Sequence, residues 1–193
     1  HGRVRPLRRD HVELRRVGEE FEALRAVFEA WNAVGTDQTF IDTSISVDID
    51  YPVGSVQDLL SVVGQLRGQY AQSLAGAFFY IAWDDCAPSP GGVLGIAPLG
   101  QEIPSPQGAA QRYSAGLWNP RQGGAFIQES VNTAVHEVGH NQGAPHAPCG
   151  VPQSDPGYPH PNASIGTRGL DPLDGKTYSP DQYTDFMSYC RPY

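Results

Sequence analysis

Long apolar runs are missing from this 193-residue chain. The longest, Ala75 to Trp83, falls well short of the ~20 residues a membrane-spanning helix requires, so no membrane span is expected. Positive charge is also in short supply. Thirteen Lys and Arg face 21 Asp and Glu, a net charge of −8. Binding to phosphates needs the opposite balance, so nucleic acid is not an expected partner. The arginines that do occur crowd the start (Arg3, Arg5, Arg8, Arg9, Arg15, Arg16) and read as a solvated lead-in and helix face. Cysteine occurs three times and methionine once. Three cysteines allow one disulfide and one spare thiol, and the pair suits an extracellular or periplasmic setting. No secretory leader is visible and the chain opens on His1, so it is expected to be a trimmed piece of a longer precursor. Internal repeats are absent.

Glycine (22) and proline (17) are plentiful, many of them beyond Pro88, which points to long irregular loops on a compact scaffold. The length is most simply one domain, 1–193, with room for a core. Along the chain, residues 1–11 read as an extended lead-in. Leu14, Val17, Phe21, Leu24, Val27, Phe28 and Trp31 place an apolar stripe on a helix over 12–34, stopped by Gly35. Strict alternation from Phe40 to Ile49 predicts a half-buried strand. Ser55 can cap a second helix from Val56 to about Leu74, with Leu59, Leu60, Val63 and Leu66 inward. Strands are expected at 77–83, 93–97 and, as an edge strand, 111–117, with Phe126 ending a further one. Residues 147–182 carry many prolines, glycines and aspartates without periodicity and read as loops, and Ser179-Pro180-Asp181 starts a short helix or turn. Asp171, Asp174 and Asp181 invite a calcium reading, but their spacing fits no loop motif and solvated turn aspartates are preferred. His160, between prolines, reads as a loop residue, and the Asn162-Ala163-Ser164 sequon as incidental.

One stretch carries chemistry. His136-Glu137-Val138-Gly139-His140-Asn141-Gln142-Gly143-Ala144-Pro145-His146 reads H-E-x-x-H-x-x-G-x-x-H. Helical positions i and i+4 share a face, so His136 and His140 can aim at one metal ion. Glu137 lies beside them, placed to take a proton from a metal-activated water. Gly143 can adopt the left-handed conformation that ends a helix, and the reversal returns His146 as a third nitrogen ligand. Three protein ligands with a fourth position open are the catalytic pattern for zinc. A solvent-facing helix end with incidental histidines is the competing reading, and five fixed positions over eleven residues argue against it. Ile127, Val131, Ala134, Val135 and Val138 recur at helical spacing and are expected to bury the face opposite the metal.

With these residues the chain resembles the metzincin clan of zinc metalloendopeptidases. That clan carries a methionine in a tight turn under the metal, and Met187, in Asp185-Phe186-Met187-Ser188-Tyr189-Cys190, matches it; a gap-filling core methionine is the alternative. The stretch His146-Ala147-Pro148-Cys149-Gly150, with Tyr189-Cys190, looks most like secreted bacterial members related to mucin-degrading proteases of the StcE type. The specific likeness covers Ile127 to Tyr193. It implies an α+β fold: a mixed twisted sheet with long helices in an N-terminal subdomain (1–146), and a loop-rich C-terminal subdomain (147–193). An edge strand would border the cleft, where an extended protein or glycoprotein substrate adds as a further strand. In the astacin and serralysin branches a tyrosine two residues after the methionine approaches the metal. Tyr189 has that spacing, either as an oxyanion stabiliser or as a cleft-wall tyrosine. Ala147 stands where several branches carry an acidic or family-marking residue, which argues against a simple astacin or adamalysin. Because the resemblance puts the methionine turn beneath the metal site, it also implies a Cys149–Cys190 disulfide. A pair involving Cys86 is the competitor; otherwise Cys86 is a free or buried thiol or a further zinc ligand.

Three functions follow as expectations. The first is a secreted, monomeric zinc endopeptidase with one Zn²⁺ on His136, His140 and His146 and Glu137 as base. The second is a zinc-binding but non-proteolytic binding or adhesion module, against which the intact Glu137 weighs. The third is an amidase-type hydrolase of cell-wall peptide or glycoprotein.

Overall fold

The computed structural model describes residues 56–73, 76–84, 92–100, 110–118, 124–171 and 174–192. The helix expected at 12–34, the strand at 40–49 and Cys86 lie outside them. The described chain mixes helix and sheet, which is compatible with an α+β fold. Its elements are helix α1 (Val56–Gln69), strands β1 (Phe79–Asp84), β2 (Gly95–Ile96) and β3 (Tyr113–Trp118), helix α2 (Gly124–Asn141), and a small hairpin of β4 (Gly169–Leu170) and β5 (Thr177–Tyr178). Among the described residues no helix is long and apolar enough to cross a membrane.

α1 buries Leu59, Leu60 and Val63 of the predicted stripe while Leu66 is half-buried, and it ends at Gln69, short of the expected Leu74. The order in the main sheet is β1-β3-β2. β1 runs parallel to β3, from Phe79 opposite Tyr113 to Asp84 opposite Trp118. β2 runs antiparallel to β3, pairing Gly95 with Gly116 and Ile96 with Ala115. The expected edge strand at 111–117 is therefore central among the described strands. Its two-sided burial accounts for this: Ser114 and Ala115, which point to opposite faces, are both fully buried.

The sheet separates two kinds of packing. On one face Ala115, Ile81 and Ile96 close on Leu59 and Val56 of α1 in a purely apolar cluster. On the other face lie Tyr80, Ser114, Gly116 and Gly95, against Thr133 and Glu137 of α2. α2 begins at Gly124, so Phe126, expected to end a strand, lies in the helix instead. A helix of 18 residues packed along β3 needs the extra first turn that a strand there would have taken. Val131, Ala134, Val135 and Val138 are buried as the periodicity predicts. Ser130, Thr133, His136, Glu137 and Asn141 are buried too, so α2 is covered on its polar stripe as well as its apolar one.

The C-terminal end of α2 is held from two sides. Asn141 Nδ2 donates to Pro98 O (3.1 Å) and Tyr113 O (3.0 Å). The His140 carbonyl accepts from Gly100 N at 2.6 Å and Gly143 N at 2.9 Å. Gly143 has φ +93°, the left-handed conformation expected of it. Beyond it the chain is mostly irregular, as predicted, apart from the β4–β5 hairpin and a 3₁₀ turn at Pro161–Ala163. Ser179 O accepts from Gln182 N and Tyr183 N, closing the turn expected after Ser179. This part has its own core of Ala147, Ala163 and Met187, with Ala144, Cys149, Tyr158 and Phe186 packed around it.

Cys149 and Cys190 form a disulfide, with Cα atoms 5.6 Å apart across a separation of 41 residues. Around it, Ala147 N donates to Met187 O (3.1 Å) and Tyr189 N to Cys149 O (2.9 Å), so the two segments lie side by side. Non-reducing peptide mapping should therefore recover a Cys149–Cys190 cross-linked peptide. The double Cys→Ser variant should lose ~3–4 kcal/mol in urea unfolding, from the loop-closure entropy returned to the unfolded chain; a loss below about 1 kcal/mol would show that packing alone fixes the two segments.

Candidate metal centre

α2 and the reversal after it gather three imidazoles. His136 and His140 stand one turn apart on α2, and His146 returns beside them after Gly143. Ring centroids are 4.8 Å apart for His136 and His140, 4.6 Å for His140 and His146, and 5.2 Å for His136 and His146. One nitrogen from each ring lies within 4.8 Å of the others.

The orientation of each ring is set by a main-chain carbonyl. His136 Nδ1 lies 2.9 Å from Phe186 O, His140 Nδ1 2.9 Å from Ala144 O, and His146 Nδ1 3.1 Å from Gln153 O. A carbonyl only accepts, so each Nδ1 carries a proton, and a ring that is neutral keeps its lone pair on Nε2. The Nε2 atoms of His140 and His146 are 3.1 Å apart. With both protons on Nδ1 this contact holds two acceptors and no hydrogen bond. His136 Nε2 is buried without a partner among the described residues. Imidazole nitrogens converging in this way suit a cation, and the carbonyl behind each ring is the usual outer partner of a metal-ligating histidine. The three histidines therefore fit a metal ion.

Burial lowers the pKa of His136, and lowers that of His140 to about 4, against the opposing pull of their carbonyl partners. Both rings are thus kept neutral, the form that ligates metal. Glu137 is 7% exposed, and desolvation pushes its carboxyl up to about 8. A dication on the neighbouring imidazoles would favour the ionised form again. The Tyr189 ring stands over the cluster, 5.7 Å from His136 and 5.3 Å from His146, and is 56% exposed. Burial first, and the Glu137 charge second, raise its pKa.

Met187 is buried, 3% exposed, with its Sδ against α2 at Gly139, between the first two histidines in sequence. Several residues that place it are not evident from the motif. Asp185 Oδ1 accepts from Met187 N at 2.8 Å, and Asp185 Oδ2 accepts from the Tyr158 hydroxyl at 3.0 Å, which raises the Tyr158 pKa after the effect of burial. The Asp185 carboxylate thereby holds the turn whose Phe186 carbonyl receives His136. Ala163, in a left-handed conformation at φ +55°, accepts from Asp185 N at 2.7 Å. Gly139 makes the close approach of this turn feasible: a Cβ there would lie 2.5 Å from Met187 Sδ and 2.8 Å from Phe186 Cε2. A glycine inside a helix, roughly 1 kcal/mol worse than alanine, was the available signal. Gly95 does the same for Glu137, whose Oε1 would lie 2.6 Å from a Cβ on the strand above it. Ala147 is fully buried against Met187, so a larger acidic side chain has no room at that position.

The remaining sequence candidates stand apart. His160 packs on Tyr158, with ring centroids 6.3 Å apart, and is not among the clustered histidines. Asp174 Oδ1 accepts from Lys176 N within the β4–β5 connection, and Asp171, Asp174 and Asp181 form no metal-sized group among the described residues. No known protein family, curated protein or solved structure matches the chain.

The two kinds of buried group oppose each other in pH dependence. A neutral-held histidine stabilises the fold above its ordinary pKa of 6.5, and that contribution is lost as pH falls toward 4. The Glu137 carboxyl is protonated in the fold up to about pH 8 but ionises near 4.5 when unfolded, so its contribution falls as pH rises through that range. Between pH 6.5 and 8 only the second effect acts. In chelator, the thermal midpoint should fall across that window for the wild type and stay flat for Glu137→Gln. A matching slope in both proteins would assign the dependence to another group.

Proposed function

We propose that this chain is a zinc-dependent endopeptidase of the metzincin type, acting outside the cytoplasm on protein or glycoprotein substrates. The observation that carries the reading is the convergence of three imidazoles, each held from behind by a main-chain carbonyl, beside the buried carboxyl of Glu137. Nitrogens ~2.0–2.1 Å from a tetrahedral zinc ion stand roughly 3.3 Å apart, close to the His140–His146 separation of 3.1 Å. Further support comes from Met187, buried against α2 at Gly139, and from Gly143 at the reversal. The disulfide suits an oxidising compartment.

His136, His140 and His146 would hold the ion. Zinc in such a site lowers the pKa of a bound water to about 7 and polarises the scissile carbonyl. Glu137 takes the proton of the attacking water and hands it to the leaving amine. Its burial, away from competing solvent, strengthens both transfers. The Tyr189 ring stands beside those of His136 and His146, and its hydroxyl would stabilise charge developing on the carbonyl oxygen. β2 is an edge among the described strands and carries Gly95 directly over Glu137, so an extended substrate pairing along β2 passes its backbone across the base.

Purified protein should contain about one zinc per chain and digest casein or gelatin, with loss of activity in chelator and recovery on adding zinc. Glu137→Ala should keep its zinc and lose turnover by roughly 10²–10⁴-fold; equal activity at equal zinc content would assign the proton transfer to another group. Tyr189→Phe should keep KM and lower kcat by roughly tenfold or more, and an unchanged kcat would leave Tyr189 as cleft wall.

A further inference from the structure

Behind Glu137, on the sheet side away from the imidazoles, the structure holds a polar slot that the reaction described above does not use. Its roof is the pair Gly95 and Gly116, directly opposite each other on β2 and β3. A Cβ on Gly95 would meet Glu137 Oε1 at 2.6 Å, and a Cβ on Gly116 would run into the Tyr80 hydroxyl. The methyl of Thr133 lies 2.6 Å from the first position and 3.3 Å from the second, so both openings belong to one space. Thr133 commits its hydroxyl to Glu129 O at 2.9 Å and offers the slot only that methyl. The polar atoms left in the slot are the Tyr80 hydroxyl, the Ser114 hydroxyl and the Glu137 carboxylate. Tyr80 and Ser114 are register partners on β1 and β3, and both hydroxyls are buried with no protein partner among the described residues.

Two buried, unpaired hydroxyls next to a buried carboxylate are costly as separate groups, at ~1–3 kcal/mol for each unmet hydrogen bond. They become favourable once the hydroxyls donate toward the acceptor that shares their space. We propose that Tyr80 is the positioning residue for Glu137. Its hydroxyl donates, across one water shared with Ser114, to the carboxyl oxygen lodged under Gly95, and so leaves the second oxygen to face the metal site. Glycine at both 95 and 116 is required because any side chain there fills the slot. Tyr80 touches neither substrate nor metal. It acts by fixing the base in a single rotamer, and this inference rests on the endopeptidase reading only for its kinetic consequence.

The test is a double-mutant cycle of Tyr80→Phe and Glu137→Ala, followed by urea unfolding of the metal-free protein and by kinetics of the zinc-loaded protein. Phenylalanine keeps the ring and its packing, and circular dichroism verifies the fold of each variant. Tyr80→Phe should raise the unfolding constant at least threefold more in the wild-type background than with Glu137→Ala, where the hydroxyl has lost its acceptor. In the active protein, Tyr80→Phe should lower kcat about tenfold with KM and zinc content unchanged, and should cause no further loss once Glu137 is alanine. Equal unfolding effects in both backgrounds, or an unchanged kcat in an active enzyme, would overturn the assignment. A wild-type protein that cleaves no peptide would overturn the endopeptidase reading alone, and the unfolding cycle would still decide the role of Tyr80.

Discussion

The Nε2 atoms of His140 and His146 face each other 3.1 Å apart at the end of α2, each on a ring whose other nitrogen is held by a carbonyl, and the rest of the described structure is arranged to keep them there. Such a contact is repulsive without a cation. It persists because each ring is pinned from behind by a carbonyl, because α2 is buried along both its stripes, and because a disulfide ties the segment after His146 to the turn beneath. A site built in this way has its ligand geometry supplied by the fold, so a metal ion finds little left to organise. The cost is several buried polar groups in one small region: Glu137, Ser114, His136 and the Tyr80 hydroxyl. Such groups are expensive to desolvate, and their accumulation here costs folding stability.

The division of labour between the faces of the sheet follows from this. On the α1 side the packing is apolar and close, with Leu59 and Ala115 almost completely enclosed. On the α2 side two glycines face each other across β2 and β3, and polar atoms take the space their side chains would have filled. One layer holds the sheet, and the other gives it a use.

How much of this was legible in the sequence depends on distance along the chain. The three histidines, Glu137 and Gly143 were readable because helical periodicity and a glycine stop are local rules acting over eleven residues. β1, β2 and β3 were located to within two residues by equally local patterns, whereas β4 and β5 lie in a stretch read as loop and the strand expected to end at Phe126 is helix. The central position of β3 was not readable, since pairing with β1 and β2 is decided by segments far away in sequence. Nor was the start of α2: Phe126 reads as the end of a strand, whereas the helix already begins at Gly124. Gly95, Gly116 and Gly139 escaped for a related reason. A glycine reveals that something approaches closely, and only the fold reveals what approaches. Asp185 and Tyr158 meet across 27 residues of irregular chain and left no periodic trace.

All three partners that orient the histidine rings are main-chain carbonyls: those of Phe186, Ala144 and Gln153. A carboxylate or amide in those places could be erased by a single base change, whereas a carbonyl is present whatever side chain the codon specifies. The tautomer of each ring is therefore buffered against mutation at positions 144, 153 and 186, and depends on the path of the backbone. Sequence drift at those three positions would leave the lone pairs pointing inward, while an insertion or deletion of one residue in the same loops would turn them away. The region should accordingly tolerate substitution far better than changes in length.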